Sequence, residues 1–150
     1  MVYFISDTHF GHREICKYRP MFSSTEEHDE FIIENWNKVI TKARQQIWVL
    51  GDMCIRNNRY DMNKLIHRLN GTINLITGNH CHMPYYRYNG SIVLRNGLVK
   101  KYGFWLSHAP IHPEELRGKY NIHGHVHDKT LDDSRYFNLK ALSNIFETRR

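Results

Sequence analysis

Acidic and imidazole side chains recur in this sequence directly after short apolar segments. In chain order these groups are Asp7-Thr8-His9, Gly51-Asp52, Gly78-Asn79-His80, His108 and Gly124-His125-Val126-His127. Carboxylates and imidazoles bind divalent metal ions, and they also act as acids and bases, so the pattern indicates a metal site or a catalytic site. The high histidine content, 11 in 150 residues, supports the same interpretation.

Two of the groups have a spacing that suits one ion. Asp7 and His9 are two residues apart, and so are His125 and His127. On an extended segment such residues point to the same side, so each pair can hold an ion from a strand end. Asp52 has two carboxylate oxygens and can bridge two cations. Each group alone is also typical of an ordinary turn, but five groups in order after predicted strands favour the metal site.

Three short β-rich apolar segments must position the first groups. Residues 2–5, 47–50 and 73–77 each predict a buried strand, and each is followed at once by one of the polar groups. In an open α/β sheet the carboxyl ends of the strands line the ligand crevice. We therefore expect these groups to meet at one edge of a sheet.

Two helices are predicted between these strands. Ser24 and Glu27 have the spacing of a capping box. The apolar residues that follow on one helical face are Ile32, Trp36, Val39, Ile40 and Ala43. A second helical pattern runs from Met62 to Leu69 and ends at Asn70-Gly71.

The second half of the chain is predicted to be rich in strands. Residues 92–95 and 98–101 flank Asn96-Gly97, which predicts a two-residue hairpin. Residues 104–106 lead into Ser107-His108, and residues 120–122 lead into the histidine cluster. The second sheet is therefore expected to be partly antiparallel.

Length and composition exclude several classes of protein. A chain of 150 residues fits one domain, 1–150, and it lacks the run of ~20 apolar residues that crosses a bilayer. The three cysteines form no CxxC pair, which disfavours a disulfide framework or a structural zinc module and suits a reducing cytoplasm. The net charge of +6 favours an anionic partner, such as a nucleotide, a nucleic acid or a phosphorylated small molecule, although a basic surface kept for solubility would give the same charge. We expect a soluble cytoplasmic protein without membrane association, whose oligomeric state is unknown.

The ordered set of five groups resembles the calcineurin-like metallophosphoesterases, over residues 2–127. The likeness is greatest to the small single-domain bacterial and phage members. It implies an α/β fold, a four-layer α-β-β-α sandwich with two mixed sheets, in a minimal form without a cap domain.

The resemblance also implies a set of metal ligands and a mechanism. The first ion would be held by Asp7, His9, Asp52 and His127, and the second by Asp52, Asn79, His108 and His125. Asp52 would bridge the two ions, and a hydroxide shared between them would attack the phosphorus. Mn²⁺ is the foremost expectation for both ions, with Fe, Zn²⁺ or Ni²⁺ as alternatives.

His80 would then stand on the leaving-group side and act as the catalytic acid. The family often has an acidic residue in the next position, where this chain has Cys81. His12 and Arg13 are candidates for contact with the substrate phosphate.

The expected activity is hydrolysis of a nucleotide-like phosphodiester. One alternative is a phosphomonoesterase, and another is a catalytically silent domain that binds metal or nucleic acid on the same scaffold. All the expected ligand positions and His80 are filled, which favours an active enzyme.

Overall fold

The computed structural model describes residues 2–54, 62–78, 92–126, 129, 131–139 and 146–148. Within these residues the strands are β1 (Val2–Ile5), β2 (Gln46–Leu50), β3 (Thr72–Ile76), β4 (Ile92–Arg95), β5 (Leu98–Lys101), β6 (Phe104–Ser107), β7 (Tyr120–His123), β8 (Tyr136–Asn138) and β9 (Phe146–Thr148). The helices are α1 (Ile15–Tyr18), α2 (Thr25–Val39) and α3 (Met62–His67), with a 3₁₀ turn at Pro113–Glu115.

The first sheet has the strand order β4-β3-β2-β1-β9. β1 to β4 are parallel to one another, and β9 runs antiparallel to β1. The three strands predicted at 2–5, 47–50 and 73–77 are thus confirmed to within one residue at either end, and they are adjacent. Their carboxyl ends lie at one edge of the sheet, as expected.

The second sheet has the order β5-β6-β7-β8. β6, β7 and β8 are parallel, whereas β5 is antiparallel to β6. Both sheets are therefore mixed, and the predicted strands at 104–106 and 120–122 are confirmed.

The hairpin predicted around Asn96-Gly97 is wrong. β4 pairs with β3 in the first sheet, while β5 pairs with β6 in the second. Asn96 and Gly97 therefore carry the chain from one sheet to the other. A local turn signal reports only that the chain changes direction, and the pairing of each strand was decided by the layer into which its apolar face packs.

The hairpin actually formed joins β5 and β6 through Tyr102-Gly103. Both residues have positive φ, 55° and 81°, as a type I′ turn requires. Tyrosine is not a usual residue for this conformation, so the residue types here do not predict the turn. Its ring packs edge-on against Phe4 and Trp48, with centroids 6.3 Å and 6.2 Å away, and these contacts offset the backbone strain.

Apolar side chains of the central strands point alternately to the two faces of the first sheet, and both faces are covered. In β2, Ile47 and Val49 belong to the cluster that packs against the helices. Trp48 and Leu50 point to the other face, where they join Leu106 of β6 in a second cluster between the two sheets. The strands read as continuous apolar runs because both faces are buried.

Helix α2 begins as the sequence predicts. Ser24 is its N-cap, and the Ser24 hydroxyl accepts a hydrogen bond from the Glu27 amide at 3.1 Å. Ile32 and Trp36 are buried, as expected. The far end differs from the prediction, since Val39 is 38% exposed and the helix stops there.

The outer face of the second sheet is covered by the segment around the 3₁₀ turn. Trp105 donates from Nε1 to the Leu116 carbonyl at 3.0 Å, and Leu116 is buried. The Ile111 amide donates to Asn121 Oδ1 at 3.0 Å. In the described residues the fourth layer is thus a short irregular segment, and the sandwich is minimal. Among all the residues that the structure describes, no helix is long and apolar enough to cross a bilayer.

Candidate metal centre

The loops after β1 and β2 run side by side and are joined through their backbones. The amide-to-carbonyl bonds join Asp7 to Gly51 (3.2 Å), His9 to Asp52 (3.0 Å) and Phe10 to Met53 (2.8 Å). The Thr8 hydroxyl adds a bond of 2.7 Å to the Met53 carbonyl. The parallel pairing of the strands therefore continues beyond the sheet, and it brings the first two polar groups together.

Four residues of the predicted site have left-handed backbone conformations. The φ angles are 53° for Asp7, 51° for His9, 49° for Asp52 and 68° for His125. Each such non-glycine residue costs roughly 1–3 kcal/mol and persists only where the surroundings enforce it. The fold therefore holds these side chains in orientations that an ordinary loop would not adopt.

The carboxylates and imidazoles converge on a small volume. Asp52 Oδ2 lies 3.4 Å from His108 Nε2 and 3.7 Å from His9 Nε2. His9 Nε2 is also 3.6 Å from Asp7 Oδ1. Ligand atoms of Asp7, Asp52 and His108 all lie within 4.8 Å of one another, and the three residues are buried. This is the spacing of donors around a shared cation.

The tautomer of His108 follows from its backbone partner. Its Nδ1 lies 2.8 Å from the Leu50 carbonyl, which can only accept, so Nδ1 carries the proton. The Nε2 lone pair then faces Asp52 and also His125, whose Nδ1 is 3.1 Å away. Metal-binding histidines are usually oriented by such a bond from the second ring nitrogen.

The two carboxylate oxygens of Asp7 have different surroundings. Oδ2 accepts from the Ser6 hydroxyl at 2.6 Å and from the His125 amide at 2.9 Å. Oδ1 is buried and has no hydrogen-bond partner among the described residues. A buried carboxylate oxygen without a hydrogen bond, next to imidazoles, is suited to bind a metal ion.

Three glycines make room for these side chains. A Cβ atom at Gly51 would collide with the His108 ring, and one at Gly78 would collide with Asp52 Oδ1. At Gly124 it would collide with Ser6 Oγ and Asp7 Oδ2. The glycines next to the predicted ligands are thus required by close approach.

Burial and charge shift the pKa values in opposite directions. Burial raises the pKa of Asp7, but the nearby His9 imidazole and the hydrogen bonds from Ser6 and the His125 amide outweigh it, and the pKa is lowered. Burial lowers the pKa of His9 and of His108, but the Asp52 carboxylate outweighs it, and both pKa values are raised. Protons and a cation therefore compete for the same donor atoms.

His12 lies next to the centre. Its ring is parallel to that of His9 within 3°, with centroids 6.0 Å apart. The Glu14 amide donates to His12 Nδ1 at 3.1 Å, which leaves the proton of the neutral ring on Nε2. Burial and nearby His9 lower the pKa of His12. Arg13, the other candidate for phosphate contact, is exposed.

The described residues thus bring together five of the seven predicted ligands, Asp7, His9, Asp52, His108 and His125. The other two, Asn79 and His127, lie outside these residues, as do His80 and Cys81. The sequence analysis missed the residues that hold the ligands in place. Ser6 and Arg19 bond to Asp7, and Thr8 bonds this loop to the one after β2. No residue pattern distinguishes these three from ordinary polar residues.

Comparison with known proteins gives a consistent answer. The sequence profile of the calcineurin-like phosphoesterases matches residues 1–148. The uncharacterized protein MJ1445 of Methanocaldococcus jannaschii is 36% identical over 146 residues, which are 95% of this chain and 78% of that protein. The Gene 66 protein of Mycobacterium phage L5 is 32% identical over 80 residues, covering 52% of this chain and 38% of the phage protein.

A solved structure has the same fold. The protein of unknown function AQ665 from Aquifex aeolicus matches with a TM-score of 0.69 and 26% identity, over 94% of this chain and 89% of that one. The profile match spans nearly the whole sequence, and the buried carboxylate–imidazole cluster fits the divalent ions that such enzymes use. The chain belongs to the calcineurin-like phosphoesterase family, whose members are metal-dependent phosphoester hydrolases.

Proposed function

We propose that this protein hydrolyses a nucleotide-like phosphodiester with the help of two divalent metal ions. The observation that carries the proposal is the convergence of Asp7, Asp52 and His108, whose ligand atoms lie within 4.8 Å of one another in a buried pocket of donors. The first ion would be held by Asp7, His9, Asp52 and His127, and the second by Asp52, Asn79, His108 and His125.

The bridging role of Asp52 rests on its central place. Its Oδ2 is within 3.7 Å of a histidine from each proposed ligand set, His9 on one side and His108 on the other. A carboxylate can donate one oxygen to each of two cations, which a neutral imidazole cannot do. His125 Nδ1, 3.1 Å from His108 Nε2, extends the second set.

When bound, two divalent ions supply Lewis-acid activation of the phosphate and of the attacking water. The protein residues orient the donors and handle the proton. We propose His80 as the group that donates a proton to the leaving oxygen. His12 presents an Nε2–H beside His9 and would bond a phosphate oxygen, and Arg13 would add positive charge at the entrance.

We propose Mn²⁺ as the ion, with Fe, Zn²⁺ and Ni²⁺ as alternatives. Three oxygen-donor side chains and four imidazoles form a mixed set without thiolate. Such a set does not select one metal by affinity, because affinity follows the Irving–Williams order at any mixed N/O site. Availability in the cell then decides among them.

A diester substrate is supported by charge and by the open strand ends. The net charge of +6 attracts polyanionic ligands. In the described part of the chain every strand belongs to one of the two sheets, and no separate domain covers their carboxyl ends. A site without a cap would accommodate the second ester arm of a diester, which a phosphomonoester lacks.

The test compares two activated substrates under one set of conditions. Mn²⁺-loaded protein would be assayed with bis-p-nitrophenyl phosphate and with p-nitrophenyl phosphate, and then with cyclic nucleotides and single-stranded DNA. Asp52→Asn, purified in the same way, controls for contaminating enzymes. We expect turnover of the diester that depends on Asp52. Monoester turnover alone would favour a phosphomonoesterase, and Mn²⁺ binding without any turnover would mean a silent binding domain.

A further inference from the structure

A buried group of three side chains lies behind the loop that carries Asp7 and His9. It consists of Arg19, which follows α1, and of His28 and Asp29 in the first turns of α2. Arg19 is 9% exposed, His28 0% and Asp29 3%. Buried ionisable residues of this kind need partners, and here they are one another's partners and those of the loop backbone.

The hydrogen bonds of this group form a continuous chain. Arg19 Nη1 lies 2.7 Å from His28 Nε2, and His28 Nδ1 lies 2.8 Å from Asp29 Oδ1. At one end, Arg19 Nη2 donates to the Asp7 carbonyl at 2.8 Å. At the other end, Asp29 Oδ2 accepts from the Gly11 amide at 3.0 Å.

Each proton in the chain can be assigned from the chemistry of the groups. A guanidinium only donates, so His28 Nε2 must accept and the imidazole carries its proton on Nδ1. That proton goes to Asp29, which must be ionised because its second oxygen accepts from Gly11. The group is thus a buried ion pair with a neutral imidazole inserted between the charges.

The two ends of this series of hydrogen bonds hold the two ends of the segment 7–11. Within that segment, Asp7 and His9 have φ of 53° and 51°. The opposite side of the segment is bonded to the loop after β2, through the Asp7, His9 and Phe10 amides and the Thr8 hydroxyl. The Asp7 carboxylate also accepts from the His125 amide. Without the buried group, the strained backbone would be held from one side.

We propose that Arg19, His28 and Asp29 form a positioning unit that sets Asp7 and His9 for the first metal ion and leaves the second ion unaffected. The inference rests on the two-ion site proposed above. All its contacts with the centre go to the segment 7–11, and none of those described goes to Asp52, His108 or His125. None of the three residues touches the reacting atoms.

The test uses Asp29→Asn, which keeps the shape but cannot accept from both His28 and Gly11. Binding of Mn²⁺ would be titrated by following the free-ion EPR signal, and His9→Asn would show which binding constant belongs to the first ion. We expect Asp29→Asn to weaken that ion ~10-fold or more, in the range typical of residues that orient ligands. The second constant should change less than about twofold, because no described contact of the unit reaches the second ligand set.

The matched control is Ile40→Val, a buried change at the far end of the same helix, 11 residues along the chain from Asp29. It should lose stability and leave both constants near those of the wild type. Arg19→Lys is a second variant, because one ammonium nitrogen cannot replace both Nη1 beside His28 and Nη2 beside the Asp7 carbonyl. It should repeat the Asp29→Asn pattern. Equal weakening of both ions, or no weakening of either, would overturn the positioning role.

A measurement without metal separates this inference from the proposed function. In metal-free protein, hydrogen exchange at the His9 and Phe10 amides should be faster in Asp29→Asn, with Leu75 and Ile76 in β3 unchanged as internal references. Unchanged exchange at the loop would refute the unit. If the wild type binds no Mn²⁺, the two-ion proposal fails, and the exchange result alone still decides whether the unit holds the loop.

Discussion

Asp52 is the side chain on which the proposed centre depends most. It is 2% exposed, and it lies between histidines of both proposed ligand sets. A change there should therefore act on both ions, whereas the loss of His9 or His125 should act on one.

We expect Asp52→Asn to reduce the metal content from two ions per chain toward none, and to abolish turnover. The amide has no charge and only one oxygen donor, so it cannot bridge two cations. Metal analysis of the purified variants would check this, with His125→Asn as the comparison that should retain one ion. Two ions and normal turnover in Asp52→Asn would refute the bridging role.

Gly124 gives a second test at the scale of one residue. A methyl group there meets Ser6 Oγ and Asp7 Oδ2, so Gly124→Ala must displace the Asp7 carboxylate. We expect ~10-fold or greater loss of Mn²⁺ affinity, comparable to the loss of a group that orients a ligand. Calorimetric titration would measure it.

The control for Gly124→Ala is Gly97→Ala. Neither glycine has a positive φ, and among the described residues a Cβ at Gly97 would meet only Thr77 Oγ1, at 3.9 Å. Gly97→Ala should leave Mn²⁺ affinity unchanged. Equal affinities in the two variants would mean that the approach of Gly124 to Asp7 is not needed for binding.

Substitution of His80 distinguishes a role in catalysis from a role in metal binding. We expect His80→Ala to lower kcat by roughly 10²–10⁴-fold, the usual effect of losing an acid–base group, with metal content near that of the wild type. Elemental analysis beside steady-state kinetics would measure both quantities. An empty site in this variant would make His80 a ligand and overturn its assignment as the acid.

The pairing of β5 with β6 makes a prediction at the scale of one element. Gly103 has φ of 81° in the two-residue turn, so Gly103→Ala is strained and should lower the free energy of unfolding by about 1–2 kcal/mol. Gly97→Ala should change it by less than about 1 kcal/mol, because Gly97 does not lie in such a turn. Urea denaturation of both variants would measure the difference. A larger loss for Gly97→Ala would contradict the connection between sheets described above.

Metal binding should stabilise the whole molecule. The proposed ligands follow β1, β2, β3, β6 and β7 in the sequence, so a bound ion would connect both sheets and be lost on unfolding. A ligand at 100 times its Kd contributes about 2.7 kcal/mol. For a chain of this size that corresponds to a rise in Tm of roughly 5–10 °C.

Differential scanning calorimetry with added Mn²⁺, and then with excess chelator, would check this rise and its reversal. Activity should be lost and regained in parallel. Asp52→Asn is the control and should show little shift. An identical shift in that variant would place the stabilising ion elsewhere.

The sequence by itself determined three strands of the first sheet, β1, β2 and β3, and the meeting of Asp7, His9 and Asp52 at the ends of two of them. β1, β2 and β3 are short apolar runs, and any run of that kind buried on both faces must pair with neighbours. Asp7 and Asp52 follow β1 and β2, and the parallel pairing of these strands brings the two side chains to one edge. These inferences succeed because they depend only on the local pattern and on the geometry of a parallel sheet. His108 follows β6 and meets these two carboxylates because the two sheets pack together.

Tertiary structure alone decided which sheet each later strand joined. Asn96-Gly97 has the composition of a hairpin turn, yet its flanking strands lie in different sheets, because their apolar faces pack against different layers. The Tyr102-Gly103 turn has no such composition and forms through contacts of Tyr102 with Phe4 and Trp48. A local sequence pattern cannot indicate contacts with residues that are more than 50 positions away in the chain.

The same limit applies to the residues that hold the centre in place. Arg19, His28 and Asp29 are ordinary polar residues in the sequence, and their function depends on being buried together behind the segment 7–11. Burial turns exposed charges, which contribute little, into a bonded group whose members require one another. The chemistry of the ligands can be read from residue types, but their preorganisation arises only when the chain is folded.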